Sequence, residues 1–445
     1  MKIKAILVAV VLLSAGGQTA FANPVSASLR PPVKSVKEPV TKASADALGQ
    51  SLRPKQRPDG IKAEGQPRIS SANLGFQRWV RGFRKRANRA GITNQTFDQA
   101  FGGVRYNTDV IQRDRNQSEF TKTLWEYLDS AASDTRVANG KKALREHGRI
   151  LRQIEAKYGV DKEVVAAVWG LESAYGTYRG KTDIIEALAT LAYDGRRGKF
   201  FEAQLIAALQ ILQSGDVAPR NMTGSWAGAM GHTQFIPTSY LAFAVDFTGD
   251  GKRDIWSDNP TDALASTAAY LDRHGWVKGQ PWGVEVKLPA RFNYALANRK
   301  IKKMPSEWAR LGVTDINGRA VRDYGQASLL LPAGSKGAAF LIFKNFSVIE
   351  RYNTADAYVI GVGHLSDRLK GGPKIQANWP RGDRALTFAE RKEMQKRLTQ
   401  KGFSTKGVDG KIGPLTINAV RGYQRSQGLT PDGYPSLQLL KSLRR

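Results

Sequence analysis

The sequence predicts a mainly α-helical protein, in which an α+β domain with a small β-containing subdomain precedes a small three-helix C-terminal module. Apolar residues recur at helical spacing over most of the chain from residue 74 to residue 274. Short alternating or continuous apolar segments, which are typical of strands, follow after residue 282. Three short helical patterns separated by two Asp-Gly turns occupy 385–445. These observations place the β-containing part between two helical parts.

Length and composition allow two or three domains and exclude cysteine chemistry. The chain has 445 residues, of which 41% are hydrophobic, so it is long and apolar enough to form more than one buried core. It contains no cysteine, which excludes disulfides, cysteine metal sites and a cysteine nucleophile. Its four histidines weigh against a metal centre built from several imidazoles.

The chain is strongly basic, with 68 Lys and Arg against 39 Asp and Glu and a net charge of +29. Such a charge favours a polyanionic partner, namely nucleic acid, anionic lipid or a carboxylate-rich polymer. A soluble basic surface with charged tails explains the same numbers. Because the basic residues are spread along the chain rather than clustered with aromatic residues on one element, we expect no nucleic-acid partner.

The first 22 residues have the organisation of a secretory signal peptide. Lys2 and Lys4 precede an apolar run from Ala5 to Ala15, and Ala20-Phe21-Ala22 supplies a cleavage site. The run is too short to span a bilayer, so we expect export to the periplasm, cleavage near Ala22 and no stable membrane anchor. Residues 23–70 are rich in Pro, Ser, Lys, Gly and Ala, which predicts a disordered basic linker.

An ordered domain is predicted over 71–372, beginning with a helical pattern near Leu74. Further helices are predicted at 93–101, 116–132, 140–157, 182–193, 199–214, 262–274 and 354–369. Strands are predicted near 284–288, 328–331 and 338–346. Residues 373–384 are predicted to be a linker, because Gly371-Gly372-Pro373 marks a break at their start.

The C-terminal unit, 385–445, has helix signals that suit a small binding module. Thr387 and Glu390 form a capping box, and Thr416 and Ser436 are predicted to cap the two following helices. No cluster of carboxylates or histidines is present for catalysis. The sequence therefore indicates binding rather than enzymatic activity for this unit.

A carboxylate lies on the apolar face of the helix predicted between Asp161 and Gly176. Val165, Val168 and Glu172 share one helix face. Burial disfavours the charged form of a carboxylate, so Glu172 would tend to keep its proton, as a general acid must. A partly buried glutamate paired with an arginine explains the same pattern.

Three separated stretches together resemble one enzyme family. They are Trp169–Gly176, Ser225–Tyr240 and Arg351-Tyr352-Asn353, and in this order they are similar to the lytic murein transglycosylases of the B family. Residues 385–443 are similar to the type 1 peptidoglycan-binding domain. The resemblance implies a goose-type lysozyme-like catalytic domain acting on peptidoglycan glycan strands.

The implied reaction cleaves the β-1,4 bond between N-acetylmuramic acid and N-acetylglucosamine without water and forms 1,6-anhydromuramyl ends. The resemblance assigns Glu172 the roles of acid and then base, with no cofactor required. This chemistry suits a single carboxylate, whereas a hydrolase that inverts or retains needs a second. A hydrolytic muramidase and a non-catalytic wall-binding protein remain as alternatives.

Several residues are implied to bind substrate: Ser173, Arg196, Arg197, Ser225, Gln234, Phe235, Tyr270, Tyr352 and Asn353. Ser225 and Gln234 would hydrogen-bond sugar or N-acetyl groups, and the Arg pair would meet peptide carboxylates. Tyr352 would lie beside Glu172 and orient it. The structural alternative is that the aromatic residues belong to the core and the arginines are solvated. His232 departs from the family pattern, which could alter subsite contacts.

An Asp-rich loop predicts a structural Ca²⁺ site. It follows the EF-hand pattern of oxygen ligands and Gly up to position nine, but it lacks the Glu of position twelve. The pattern predicts Asp246, Thr248, Asp250 and Lys252, through its carbonyl, as ligands. The family resemblance implies a later aspartate as the closing ligand, for which Asp262 fits, with Asp258 as rival. An Asp/Gly turn held by its own hydrogen bonds is the alternative.

Overall fold

The computed structural model describes residues 71–115 and 122–445. The predicted signal peptide (1–22) and basic linker (23–70) lie outside the described residues. Within the described ranges, no helix is both long and apolar enough to cross a membrane.

The N-terminal part of the described chain is a helical body with one large apolar core. Its helices are α1 Ser71–Arg89, α2 Asn94–Phe101, α3 Thr108–Arg115, α4 Leu124–Ala131, α5 Asp134–Glu146, α6 Gly148–Tyr158, α7 Lys162–Ser173, α8 Ile184–Asp194, α9 Gly198–Gln213, α10 Pro237–Phe243 and α11 Thr261–Arg273. Two short strands, β1 (Thr182–Asp183) and β2 (Thr223–Gly224), pair antiparallel.

Two helix predictions differ from the structure. The helix predicted at 140–157 is instead the pair α5 and α6, which meet at His147. The His147 backbone, with φ of −103° and ψ of 15°, departs from helical geometry, and its imidazole packs edge-on against the Trp169 ring. The helix predicted at 116–132 is observed from Leu124 onward, where Thr123 forms a capping box; 116–121 are not among the described residues.

The β-containing subdomain has a four-stranded antiparallel sheet. Its strands are β3 Gly283–Lys287, β4 Thr314–Asp315, β5 Ser328–Leu330 and β6 Ala339–Ile342, in the order β4-β3-β6-β5. The sheet and helix α12, Pro305–Arg310, enclose a separate core around Trp308. The strand predicted to reach residue 346 ends at Ile342, because helix α13, Lys344–Tyr352, begins two residues later.

Helix α14, Asp356–Leu369, returns the chain to the helical body, where it packs against α7 and α4. Gly361 allows this close approach. A Cβ on Gly361 would lie 2.9 Å from the Tyr127 ring and 3.3 Å from Leu171 of α7. The packing brings α14 alongside the C-terminal end of α7, where Glu172 lies.

The C-terminal module consists of α15 Phe388–Gln400, α16 Pro414–Ser426 and α17 Leu437–Arg444, around a small core of its own. The predicted capping box of Thr387 and the Ser436 cap are confirmed. The predicted Thr416 cap is wrong, because α16 begins at Pro414, whose fixed φ suits a first helical turn. The buried Thr416 hydroxyl instead accepts a hydrogen bond from Gln395 Nε2.

The segment predicted as a linker, 373–384, lies on the helical body rather than apart from it. Arg381 forms a two-pronged ion pair with Asp129, and Lys374 Nζ lies 2.9 Å from Asp134 Oδ2. The C-terminal module is docked as well. Asp432 accepts hydrogen bonds from the N–H and hydroxyl of Ser335 at 2.8 and 2.9 Å.

Candidate active site

Helix α7 positions Glu172 near its own C-terminal end. The helix is buried from Val164 to Ser173. It ends three residues before the predicted Gly176, because Ala174 and Tyr175 adopt left-handed backbone conformations with φ of 50° and 58°. The Tyr175 ring then folds back over Gly170, where a Cβ would lie 2.6 Å from it. This reversal fixes the end of the helix that carries the carboxylate.

The carboxylate of Glu172 is fully buried and accepts a hydrogen bond from a tyrosine. Tyr358 on α14 donates its hydroxyl to Glu172 Oε1 at 2.7 Å. The Tyr352 ring stacks on the Tyr358 ring, with 6.4 Å between centroids and 10° between planes. Burial, and then the neighbouring Glu172, raise the pKa of Tyr352 well above its usual value, so this phenol stays neutral.

Tyr352, which the sequence placed beside Glu172 as its orienting partner, uses its hydroxyl elsewhere. It donates to Thr233 O at 2.6 Å. The donor to Glu172, Tyr358, was missed, because it lies six residues after Tyr352 in an apolar helix and its pattern matches that of a core aromatic residue. Tyr352 therefore packs against the Tyr358 ring, and its hydroxyl connects this pair of rings to the loop that contains Gln234.

The loop 223–235 brings its polar side chains inward. Ser225 Oγ accepts from Ala229 N at 3.0 Å and holds the turn between them. Gln234, with φ of 57°, donates Nε2 to Gly231 O at 2.7 Å and to Arg179 O at 3.1 Å. Gln234 Oε1 is buried and accepts no hydrogen bond within the described part of the chain. This oxygen is available as an acceptor for a sugar hydroxyl or amide.

The predicted aromatic residues form one buried cluster. Phe235 lies 5.9 Å from the Tyr270 ring and 5.8 Å from the Tyr352 ring, and the two tyrosines are 5.0 Å apart. The Tyr270 hydroxyl donates to Arg351 O at 2.6 Å. The cluster joins the 223–235 loop to α11 and α13, so it holds together the elements that meet at Tyr352.

Two other predicted side chains bond to nearby backbone. Ser173 Oγ donates to His232 O at 2.5 Å and accepts from Gly176 N at 2.9 Å. Asn353 Oδ1 accepts from Ala355 N at 3.0 Å, just before α14 begins. Both residues are buried, and their observed contacts shape the ends of helices that carry Glu172 and Tyr358.

Arg196 and Arg197 share one carboxylate. Arg196 Nε lies 3.0 Å from Asp114 Oδ2, and Arg197 Nη2 lies 2.7 Å from Asp114 Oδ1. Asp114 is buried, whereas half of the Arg196 side chain is exposed. Each guanidinium has more N–H donors than this one carboxylate uses. The two arginines therefore form a cationic patch that Asp114 holds in place.

His232 joins helix α7 to the Asp-rich loop. Its Nδ1 accepts from Trp169 Nε1 at 3.1 Å, and its Nε2 lies 2.7 Å from Ser257 O. The ring is therefore neutral with its proton on Nε2. Burial, aided by the nearby Arg179, lowers the pKa of His232 to about 4. The ring is a buried link between two elements, which differs from the subsite role considered from the sequence.

The Asp-rich loop brings three of its predicted ligands together. Carboxylate oxygens of Asp246, Asp250 and Asp262 lie within 4.8 Å of one another. Thr248 joins them by donating its hydroxyl to Asp246 Oδ1 at 3.2 Å. The rival, Asp258, is exposed and ion-paired with Arg179, whereas Asp262 lies within the cluster.

The same carboxylates also organise the loop backbone. Asp262 accepts hydrogen bonds from the N–H groups of Phe247, Thr248 and Asp254, at 2.9 to 3.0 Å. Asp246 likewise accepts from Gly249 and Gly251. An all-oxygen donor set of three carboxylates and a hydroxyl fits a hard cation such as Ca²⁺.

Comparison with known proteins gives the same assignment for both parts of the chain. Residues 75–367 match the family described as Transglycosylase SLT domain, and residues 389–443 match the Putative peptidoglycan binding domain. The membrane-bound lytic murein transglycosylase B of Escherichia coli (strain K12) is 32% identical over 301 residues, which span 64% of this chain and 80% of that protein.

Solved structures agree with the family match. SltB3 from Pseudomonas aeruginosa, solved in complex with NAG-anhNAM-pentapeptide, matches with a TM-score of 0.81 at 50% identity over 83% of this chain and 99% of that chain. The Escherichia coli lytic transglycosylase Slt35, solved with calcium, matches with a TM-score of 0.57 at 31% identity over 67% and 93% of the two chains. The predicted lysozyme-like α+β class is confirmed, and the chain belongs to the transglycosylase SLT domain family.

Proposed function

We propose that this protein is an exported lytic transglycosylase that cleaves the β-1,4 bond between N-acetylmuramic acid and N-acetylglucosamine in peptidoglycan without water. The products would carry 1,6-anhydromuramyl ends. The observation that carries the proposal is the buried Glu172 carboxylate with the Tyr358 hydroxyl on Oε1. The related Pseudomonas enzyme, solved with a NAG-anhNAM-pentapeptide, supports the product class.

Glu172 acts first as an acid and then as a base. Its burial favours the protonated form, which donates a proton to the glycosidic oxygen as the C1–O bond breaks. The resulting carboxylate takes the proton of the sugar's 6-hydroxyl while that oxygen bonds to C1. Glu172 is thereby protonated again. The nucleophile belongs to the substrate, so its effective concentration is high without a bound water.

Tyr358 orients the carboxylate and stabilises its charged form between the two steps. Its O–H donates to Oε1 and so fixes the orientation of the carboxylate that exchanges protons with substrate. Gln234 Oε1 would accept from a sugar hydroxyl or N-acetyl N–H, because that buried acceptor has no partner within the described residues.

The other residues predicted at the subsites are proposed to bind substrate as well. Phe235, Tyr270 and Tyr352 form an aromatic wall, and Arg196 and Arg197 retain donors for peptide carboxylates. Ser173, Ser225 and Asn353 would then contact substrate through groups that also hold the local backbone.

The C-terminal module would increase the local concentration of glycan at the catalytic domain. Its match to the Putative peptidoglycan binding domain supports binding to the same polymer that Glu172 would cut. Murein stems carry carboxylates, so the net charge of +29 suits this partner, and nucleic acid is not needed to explain it. The proposed location is the periplasm after cleavage near Ala22, without a stable membrane anchor.

Mass analysis of digested murein tests the reaction. Purified mature protein is expected to release fragments with 1,6-anhydromuramyl ends, because the 6-hydroxyl replaces water as nucleophile. Reducing ends, which are one water heavier, would instead identify a hydrolytic muramidase. Sacculi incubated without the protein provide the baseline of both kinds of end.

A structural Ca²⁺ bound by the Asp-rich loop is proposed as well. Asp246, Asp250 and Asp262 supply carboxylates, Thr248 supplies a hydroxyl, and Lys252 would supply its carbonyl. The related Slt35, solved in complex with calcium, supports this assignment. Through Ser257 and His232 the loop is joined to α7, so the ion would stiffen the support of the catalytic helix.

Calcium is expected to raise the melting temperature of the mature protein, because an ion that binds only the folded chain stabilises it. Asp262→Asn should remove this calcium-dependent shift, whatever its effect on the metal-free protein. Asp258→Asn is the matched control, since the exposed Asp258 is paired with Arg179 outside the cluster. Absence of heat on titration with Ca²⁺, together with no thermal shift on chelation, would refute the site.

A further inference from the structure

A cavity of about 470 Å³ lies between helix α14 and segment 374–381, and none of the active-site residues named above lines it. Its floor is formed by His364 and Arg368 of α14. Side chains at the junction of α4 and α5, including Asp129 and Asp134, form one wall. Trp379 and its neighbours form the other. The volume falls within the range typical of ligand sites, about 300–1,000 Å³.

His364 is the unexplained polar group in this cavity. Only 8% of the residue is exposed, yet its ring makes no hydrogen bond within residues 71–115 and 122–445. Burial, and then the charge of Arg368, lower the pKa of His364 to about 4, so the ring is neutral with one donor and one acceptor. The ring nitrogens are not among the buried polar atoms that lack a partner, so they are accessible from the cavity, where a polar ligand can bond to them.

The cavity rim has an excess of positive charge. Arg368, Lys374 and Arg381 line it against two carboxylates, those of Asp129 and Asp134. Arg381 forms a two-pronged ion pair with Asp129, whereas Lys374 and Arg368 share Asp134, at 2.9 and 3.2 Å. Both side chains have more N–H donors than Asp134 uses, which suits a ligand that brings its own carboxylate.

The wall formed by the 374–381 segment is held in place independently of any ligand. The N–H groups of Gln376 and Ala377 both donate to the Glu285 carboxylate of β3, at 2.9 and 2.7 Å. The Trp379 ring lies 6.3 Å from the Trp125 ring. The cavity is therefore preformed, which lowers the entropic cost of binding.

We propose that this cavity binds a short acidic peptide through a peptide carboxylate, of the kind that murein stems present. Lys374 and Arg368 would meet the carboxylate, His364 would bond to a peptide amide, and Trp379 would cover an apolar side chain. The identification of the peptide as a murein stem rests on the proposed function. The site would hold a stem while Glu172 acts on a glycosidic bond, and would give the enzyme a second attachment to its polymer.

Calorimetric titration of the mature protein with a synthetic, sugar-free stem tetrapeptide tests the site. Saturable binding is expected for the free acid, and binding about tenfold weaker for the fully amidated peptide, because a charge-assisted hydrogen bond is lost. Lys374→Gln, at a side chain that is 64% exposed, and His364→Leu should each weaken binding about tenfold. Arg84→Gln is the control, since Arg84 also pairs with an aspartate but does not line the cavity.

Two results would overturn the proposal. One is the absence of saturation at millimolar peptide. The other is full affinity in Lys374→Gln, which would place the peptide elsewhere, for example at Arg196. The titration needs no bond cleavage, so its outcome is independent of the murein product analysis. Binding without anhydromuramyl products would refute the proposed reaction and leave the peptide site standing.

Discussion

Replacing Glu172 with Gln is expected to slow murein cleavage by about 10²- to 10⁴-fold, the usual contribution of general acid–base catalysis. Glutamine retains the shape of the side chain and an oxygen that can accept from Tyr358, but it has no acidic proton to give to the leaving oxygen. The side chain is fully buried, so removing its ionisable group should not destabilise the fold. The rate of anhydromuramyl product formation from purified sacculi is the measurement.

Glu163→Gln provides the matched control for that experiment. Glu163 lies in the first turn of the same helix, where it pairs with Lys162 at 2.9 Å, far along α7 from the catalytic end. Its turnover should equal that of the wild type. If Glu172→Gln also retained wild-type turnover, a different residue would supply the acid, whereas absence of turnover in the wild type would indicate a non-catalytic wall-binding protein.

The burial of Glu172 on an apolar helix face could be predicted from the sequence, but its hydrogen-bond donor could not. Glu172 is visible because a charged residue interrupts an apolar helix face, a local pattern that needs no tertiary information. Tyr358 is a tyrosine in a helix whose other residues are also buried, and such a tyrosine is usually part of the core. Its role depends on the approach of α14 to α7 at Gly361, which is a property of the fold.

The small polar residues of the motifs show a second limit. Ser173, Ser225 and Asn353 were predicted to bind substrate, and in the structure each bonds to nearby backbone. Backbone groups in buried turns require partners, and short polar side chains supply them. Sequence cannot distinguish a hydroxyl that caps a buried turn from one that meets a ligand, because both uses favour the same residue types.

The packing of the predicted linker, 373–384, shows a third limit. The Gly, Pro and basic residues of this segment are typical of a solvated linker. Arg381 and Lys374 instead pair with Asp129 and Asp134, which precede them by more than two hundred positions. Such long-range ion pairs leave no local signal, so the cavity that they border could not have been predicted.

The second large effect is expected at Arg299, which links the β-containing subdomain to the start of α14. Arg299 forms ion pairs with Glu350, at 2.7 Å, and with Asp356, and its guanidinium lies 4.9 Å from the Phe346 ring. Only 3% of the Asp356 side chain is exposed. Arg299→Met should lower the free energy of unfolding by about 3–5 kcal/mol, because it leaves a buried carboxylate without its cation.

Denaturant unfolding followed by tryptophan fluorescence measures this loss, with two comparisons. Arg84→Met removes a similar but solvent-exposed pair with Asp98 and should change stability far less, because water screens that pair. The double variant Arg299→Met/Asp356→Leu should recover much of the lost stability, since an apolar pair can replace a buried ion pair. If the single and double variants were equally unstable, the lost stability would come from packing on Phe346 rather than from the unpaired charge of Asp356.

Arg299→Met should also lower kcat more than it raises KM. Asp356 occupies the first turn of α14, where its negative charge favours the helix N-terminus, and Tyr358 follows two residues later. An uncompensated Asp356 would shift that turn, and with it the hydroxyl that orients Glu172. Arg299 does not contact Glu172, so recovery of kcat in the double variant would show that the β-containing subdomain acts on catalysis through the position of Tyr358.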